Sequence, residues 1–128
     1  MSELIKGTGR IVTAGAALIN PTKELSYVEN WNGKLYCRYH TTIRLSKGFY
    51  LQGDYVKVLL KKEYAFKGLI HKAIETTMDK LSEVTARLDT GYSLAETKAI
   101  FNKFYPGTDW TIQKLIVLLI ENIEWTKP

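Results

Sequence analysis

Asn32-Gly33 constrains this chain more than any other pair of residues. A type I′ turn needs positive φ at both central positions, and Asn-Gly meets that need at the lowest cost. The flanking residues alternate as strands do, so the dipeptide predicts a hairpin over residues 26 to 45. The turn sets a register: Trp31 opposite Lys34, Glu29 opposite Tyr36, and Tyr27 opposite Arg38. Side chains alternate between the two faces of a strand. Val28, Leu35, Cys37, Tyr39, Ile43 and Leu45 then share a mostly apolar face, expected to be core. Tyr27, Glu29, Trp31, Lys34, Tyr36, Arg38, His40, Thr42 and Arg44 share the other, expected to face outward.

The rest of the chain divides into a strand-rich first half and a helical second half. Residues 4 to 19 are apolar and interrupted by Gly7, Gly9 and Gly15, which predicts a coiled strand with bends, ended by Asn20-Pro21. After "SKG" at 46 to 48, two strand pieces flank a Gly53-Asp54 turn, with Val56, Val58 and Leu60 in alternation. From 64 to 88, Phe66, Ile70, Ile74, Met78, Leu81, Val84 and Leu88 fall on one stripe at helical spacing. Ser93 and Glu96 form a capping box for a helix from 94 to about 105, ended by Pro106-Gly107. Thr108 or Asp109 caps a last segment, 110 to 124, whose apolar run fits a helix or a buried strand equally. A final barrel strand falls at 54 to 62 or at 114 to 121. The expected fold is α+β: an antiparallel β half, residues 4 to 62, followed by two or three helices, all packed as one domain.

Charge and composition narrow the function. The chain has 128 residues and a net charge of +5. Residues 1–64 hold ten Lys/Arg against five Asp/Glu, and residues 65–128 hold eight of each, so the whole excess lies in the first half. A one-sided basic surface suits a polyanionic partner, and also suits a surface that simply keeps the chain in solution. The longest apolar run, "LIVLLI" at 115 to 120, is far shorter than the roughly 20 residues of a membrane span. No secretory signal is expected, and the one cysteine, Cys37, has no second cysteine for an internal disulfide. A cytoplasmic setting is expected. The "LIVLLI" run also calls for burial on several sides, which predicts a homodimer or higher oligomer.

No catalytic or metal motif stands out. Gly7-Thr8-Gly9 has Val12 where a dinucleotide fingerprint needs its third glycine. His40 and His71 are too few for a triad or a metal centre. Glu75, Asp79 and Glu83 are spaced by four, but Lys72 and Lys80 interleave with them, the pattern of a solvated face. Neither an enzyme nor a cofactor is expected. The aromatic and basic face remains, and it has two readings. Tyr and Trp are enriched in protein interfaces. Rings interleaved with Lys and Arg also form a platform on which bases stack while the cations follow the phosphates. The second reading places Tyr27, Trp31, Lys34, Tyr36, Arg38, His40 and Arg44 in a site for single-stranded nucleic acid, DNA or RNA.

Several short pieces resemble bacterial and phage single-stranded DNA-binding proteins of the oligonucleotide-binding (OB) fold. They are Gly9-Arg10, Glu24-Leu25-Ser26-Tyr27, Asn32-Gly33, the alternation from Leu35 to Leu45, and Gln52-Gly53-Asp54-Tyr55-Val56. The resemblance covers about residues 7 to 60. It implies an OB-type barrel that binds single strands without sequence preference, with Tyr27, Trp31 and Tyr36 stacking on bases. The chain departs from that family in ending "IEWTKP" rather than in an acidic tip. It also leaves only Ser46 to Gly48 between strands three and four. A thinner resemblance, through "TTIRLSK" and Gly53 to Val58, is to swapped-hairpin regulators that dimerise on duplex DNA. The remaining class is a homo-oligomeric assembly or adaptor protein that binds no nucleic acid.

Overall fold

The computed structural model describes residues 4–7, 10–13 and 19–127. The fold is α+β, with a curled, barrel-like sheet and two helices. Strands β1 (Leu4–Gly7) and β2 (Arg10–Thr13) pair antiparallel as a separate two-stranded sheet. They stand where the sequence predicts one coiled strand. Its expected bends at Gly9 and Gly15 lie outside the described residues.

The main sheet holds β3 (Lys23–Tyr27), β4 (Tyr39–Leu45), β5 (Tyr55–Leu60), β6 (Glu63–Thr76) and β7 (Leu115–Asn122). Their order is β3-β5-β6-β7-β4. β3 and β5 run parallel, and every other pair is antiparallel. Helices α1 (Glu83–Thr90) and α2 (Leu94–Phe104) lie between β6 and β7 in the chain. No helix among the described residues is long and apolar enough to cross a membrane.

The expected hairpin does not form. Asn32 (φ 60°, ψ 17°) and Gly33 (φ 63°, ψ 16°) do adopt the turn geometry their sequence demands, but inside a 3-10 segment, Trp31–Tyr36. β3 and β4 are not paired with each other and lie at opposite edges of the sheet. The turn is stabilised locally, by Gly33 N–H donating to Asn30 O and Leu35 N–H to Asn30 Oδ1. Its function is to dock a helix: Asn32 Nδ2 donates to Arg87 O near the end of α1, and Gly91 at that end has φ +81°. A Cβ on Gly91 would lie 3.2 Å from the Asn32 side chain, so glycine serves both the left-handed cap and the close approach.

Residues 64 to 76 are strand, not helix. Phe66, Ile70, Ile74 and Met78 are spaced by four, which places them on one face of a helix and also on one face of a strand, whose period is two. Pairing with β5 on one side and β7 on the other holds the segment as a strand, and Gly68 in the middle fits the tight space there. Its added Cβ would sit 2.9 Å from Ile120 Cγ2, because the barrel wall passes very close there. A register shift between Ile70 and Lys72 then changes the phase, and Ile74 emerges 59% exposed. Only Glu83–Thr90 of the expected stripe is α-helical, where Val84 and Leu88 are exposed and Ala86 is buried. The capping box forms as expected: Glu96 N–H donates to Ser93 Oγ, and Ser93 N–H to Glu96 Oε1.

Two apolar clusters hold the fold. The barrel interior contains Leu25, Tyr27, Leu35, Val56, Val58, Phe66, Ile70, Leu118 and Ile120. The second cluster, Ile43, Met78, Leu81, Phe101 and Leu115, joins the outer side of β4 and β7 to the helices. β7 is a central strand between β6 and β4, so Leu115, Leu118 and Ile120 are fully buried within one chain. β4 is covered on both sides. Ile43 and Leu45 pack on the second cluster, as expected of them, but the opposite face is buried too: His40 and Thr42 point inward, while Tyr39, expected to be core, is 46% exposed. Val28 and Cys37, assigned to the core from sequence, are exposed.

Candidate nucleic-acid interface

The curl brings the two edge strands face to face, and side chains bridge the seam. Tyr27 Oη and His40 Nε2 share a hydrogen bond of 2.6 Å. Arg44 Nη2 donates to Ser26 O at 2.7 Å, and its guanidinium lies 4.6 Å from the centre of the Tyr27 ring. The free edges that these strands would expose are closed by side chains. On β3, Ser26 O is taken by Arg44 and Glu24 O by Tyr50 Oη, which donates at 2.6 Å. On β4, Thr41 O accepts from Lys34 Nζ at 2.9 Å, and Ile43 N–H donates to Asp89 Oδ2 at 3.2 Å. Lys34 and Asp89 also form a buried ion pair with each other. Unpaired sheet edges invite association with other strands, and these contacts remove that opportunity.

A cleft of about 230 Å³ opens beside this seam. The barrel contributes Tyr27, Val28, Thr42 and Arg44, the 3-10 segment contributes Trp31 and Lys34, and the helices contribute Asp89, Thr90, Ile100, Phe101, Phe104 and Tyr105. Phe104 is 52% exposed and Tyr105 36% exposed, so aromatic surface reaches solvent at the rim. Phe101 stacks on Tyr105 with ring centres 6.0 Å apart, and Trp31 packs edge-on against Tyr92 at 5.9 Å.

The electrostatics behind the cleft follow from burial. Desolvation lowers the His40 pKa from 6.5 to about 3, helped by the positive charges of Lys34 and Arg44, so His40 is neutral at ordinary pH. Burial raises the Tyr27 hydroxyl well above its usual range, so it too stays neutral, although Arg44 opposes the shift. Burial lowers the Lys34 pKa, and Asp89 works against that by favouring the charged form. The floor of the cleft is thus a largely paired polar layer, in which His40 Nδ1 is buried without a hydrogen-bond partner, and Arg44 is its half-buried cation.

Of the seven residues singled out from sequence, the structure brings Tyr27, Trp31, Lys34 and Arg44 to this cleft, with His40 directly behind Tyr27. Tyr27, Lys34 and His40 are buried, contrary to the outward face expected for them, because the edge strands curl toward each other instead of pairing as a hairpin. Tyr36 and Arg38 lie elsewhere. Tyr36 is 80% exposed, and its carbonyl accepts from Trp125 Nε1. Arg38 pairs with Glu121 at 3.0 Å on the outer face of the sheet, over the Tyr39 ring and near His71. Phe101, Phe104 and Tyr105 are not among the residues expected from sequence. Their signal is the spacing 101, 104, 105 at the end of a well-capped helix, which groups three rings on one side. Among the described residues no group of three or more His, Cys, Asp or Glu is placed to hold a metal ion. No protein-family model, curated protein or solved structure matches the chain.

Proposed function

We propose that this protein binds single-stranded nucleic acid, taken here as DNA, with little sequence preference, and that the cleft beside the barrel seam is where bases enter. One observation carries the reading: Trp31, Phe104, Tyr105 and the Arg44 guanidinium converge on a single concave site. Aromatic rings stack on any base, and a half-buried guanidinium at the cleft wall suits a phosphate or the face of a base. The net +5 of residues 1–64 favours the approach of a polyanion. Lys34 has a structural part in this reading, because its ammonium is already committed to Asp89 and Thr41 O.

The test is a titration of labelled oligo-dT at two salt concentrations, with duplex DNA as control. Binding should quench tryptophan emission. Arg44→Gln should reduce the log–log salt slope by about 0.7, the share of one phosphate contact on a single strand. Absence of binding at low salt, with self-association in its place, would favour the assembly class. Tighter binding to duplex would favour a duplex-binding regulator.

A further inference from the structure

Beyond Arg44 the free edge of β3 leads to a second exposed ring. The carbonyls of Ser26 and Glu24 are two residues apart, so they point the same way at a spacing of roughly 6.6 Å. Arg44 takes the first and Tyr50 the second. At the start of the strand Lys23 Nζ donates to Phe49 O at 2.7 Å and to Asp54 Oδ2 at 2.6 Å, and lies 5.0 Å from the centre of the Phe49 ring. Phe49 packs edge-on to Tyr50, with ring centres 4.9 Å apart. Its carbonyl is therefore anchored and its ring has a fixed neighbour, yet Phe49 is 51% exposed. The acids along this edge are already matched: Asp54 by Lys23, and Glu24 by Lys57 at 3.9 Å. Arg44 and Lys47 have no acidic partner at ion-pair distance among the described residues, so the edge carries surplus positive charge.

We infer that a single strand seated in the cleft continues along the edge of β3, with a following base stacked on Phe49, so that the interface spans several nucleotides. This rests on the reading of the cleft given above. Ser26, which holds Arg44, and Lys23, which holds Phe49, are about 10 Å apart at the rise of an extended strand, enough for one or two nucleotide steps between Arg44 and Phe49. Phe49 supplies the ring, Lys47 and Arg44 the positive charge, and Tyr50 holds the loop against the strand.

The experiment uses fluorescence anisotropy with an oligo-dT of about twelve nucleotides, within the range that single-strand grooves track. Wild type is compared with Phe49→Ala and Trp31→Ala, and amide-shift mapping is run on the wild type. Circular dichroism checks the fold, which loss of a half-exposed ring should leave intact. Phe49→Ala should weaken binding about 5-fold or more, the effect of one lost stacking contact, and the amides of residues 49 to 51 should shift on titration. If Trp31→Ala weakens binding while Phe49→Ala stays within about twofold and its amides stay still, the path along β3 is wrong and the cleft stands alone. If the wild type binds no oligo-dT, the reading of the cleft fails, and the path fails with it.

Discussion

His40 should make this protein lose stability in mild acid, well before its carboxylates titrate. The imidazole is buried against Tyr27, with Lys34 and Arg44 nearby, and its pKa falls from 6.5 to about 3. Between those two values the unfolded chain binds a proton that the folded chain does not. Stability therefore rises with pH in that window, is fully present above 6.5, and is lost as pH falls toward 3. Each pH unit well inside the window is worth about 1.4 kcal/mol, so the step from pH 7 to pH 5 should cost about 2 kcal/mol. That is a large fraction of the stability of an ordinary domain. Urea unfolding at the two pH values measures it. His40→Gln provides the control, since its amide oxygen still accepts from Tyr27 but does not titrate. Every other ionisable group is present in both proteins and cancels in the comparison. A pH 7 to 5 difference that is the same in wild type and His40→Gln would refute the reasoning.

Two further outcomes follow from the geometry. The β5–β6 turn places Lys61 at φ 51° and Lys62 at φ 69°, a conformation that costs a non-glycine residue roughly 1 kcal/mol. The double substitution Lys61→Asn with Lys62→Gly, which installs the residue types that favour such a turn, should raise the urea midpoint by an amount equivalent to about 1 kcal/mol, and no change would mean the turn is relaxed as it stands. In the oligo-dT titration Trp31→Ala should weaken binding about tenfold, whereas Tyr36→Ala, outside the cleft, should leave affinity within about twofold. Equal losses in both variants would place the interface elsewhere.

The sequence is most legible where local chemistry decides structure. Ser93 and Glu96 specify their helix start without help from the rest of the chain. Asn32-Gly33 likewise takes the turn its residues require. Which strands that turn joins is a different matter, because β3 pairs with β5 and β4 with β7, partners about 30 and 75 residues away along the chain. The stripe from Phe66 to Met78 reads as a helix in sequence because a spacing of four serves both periods. The turn at Lys61-Lys62 has no signature at all, since lysine rarely adopts positive φ. For the candidate site, an aromatic and basic group around Trp31 and Arg44 is visible in the sequence. Its other wall, Phe104 and Tyr105, comes from α2, which is joined to α1 through Thr90 and Thr97; α1 in turn docks through the Asn32 contact with Arg87 O and through Asp89, neither of which leaves a pattern in sequence.

The Lys34–Asp89 pair shows why charge is retained at the back of the cleft. A buried ion pair often gives way to apolar residues of similar size with no loss of stability. This pair is different, because each partner also closes a backbone group on the free edge of β4: Lys34 donates to Thr41 O, and Asp89 accepts from Ile43 N–H. Lys34→Met alone leaves Asp89 buried without its cation and should cost about 3–5 kcal/mol. Adding Asp89→Leu removes the unpaired charge but leaves Thr41 O and Ile43 N–H without partners, each worth about 1–3 kcal/mol if they stay buried. The double variant should therefore recover only part of the loss, and its exposed β4 edge should raise self-association in sedimentation. Full recovery with no change in association would mean that the pair is replaceable and that the edge needs no cap. Partial recovery would mean that the residues holding α1 against the barrel, and so setting the width of the cleft, are the ones that end the sheet.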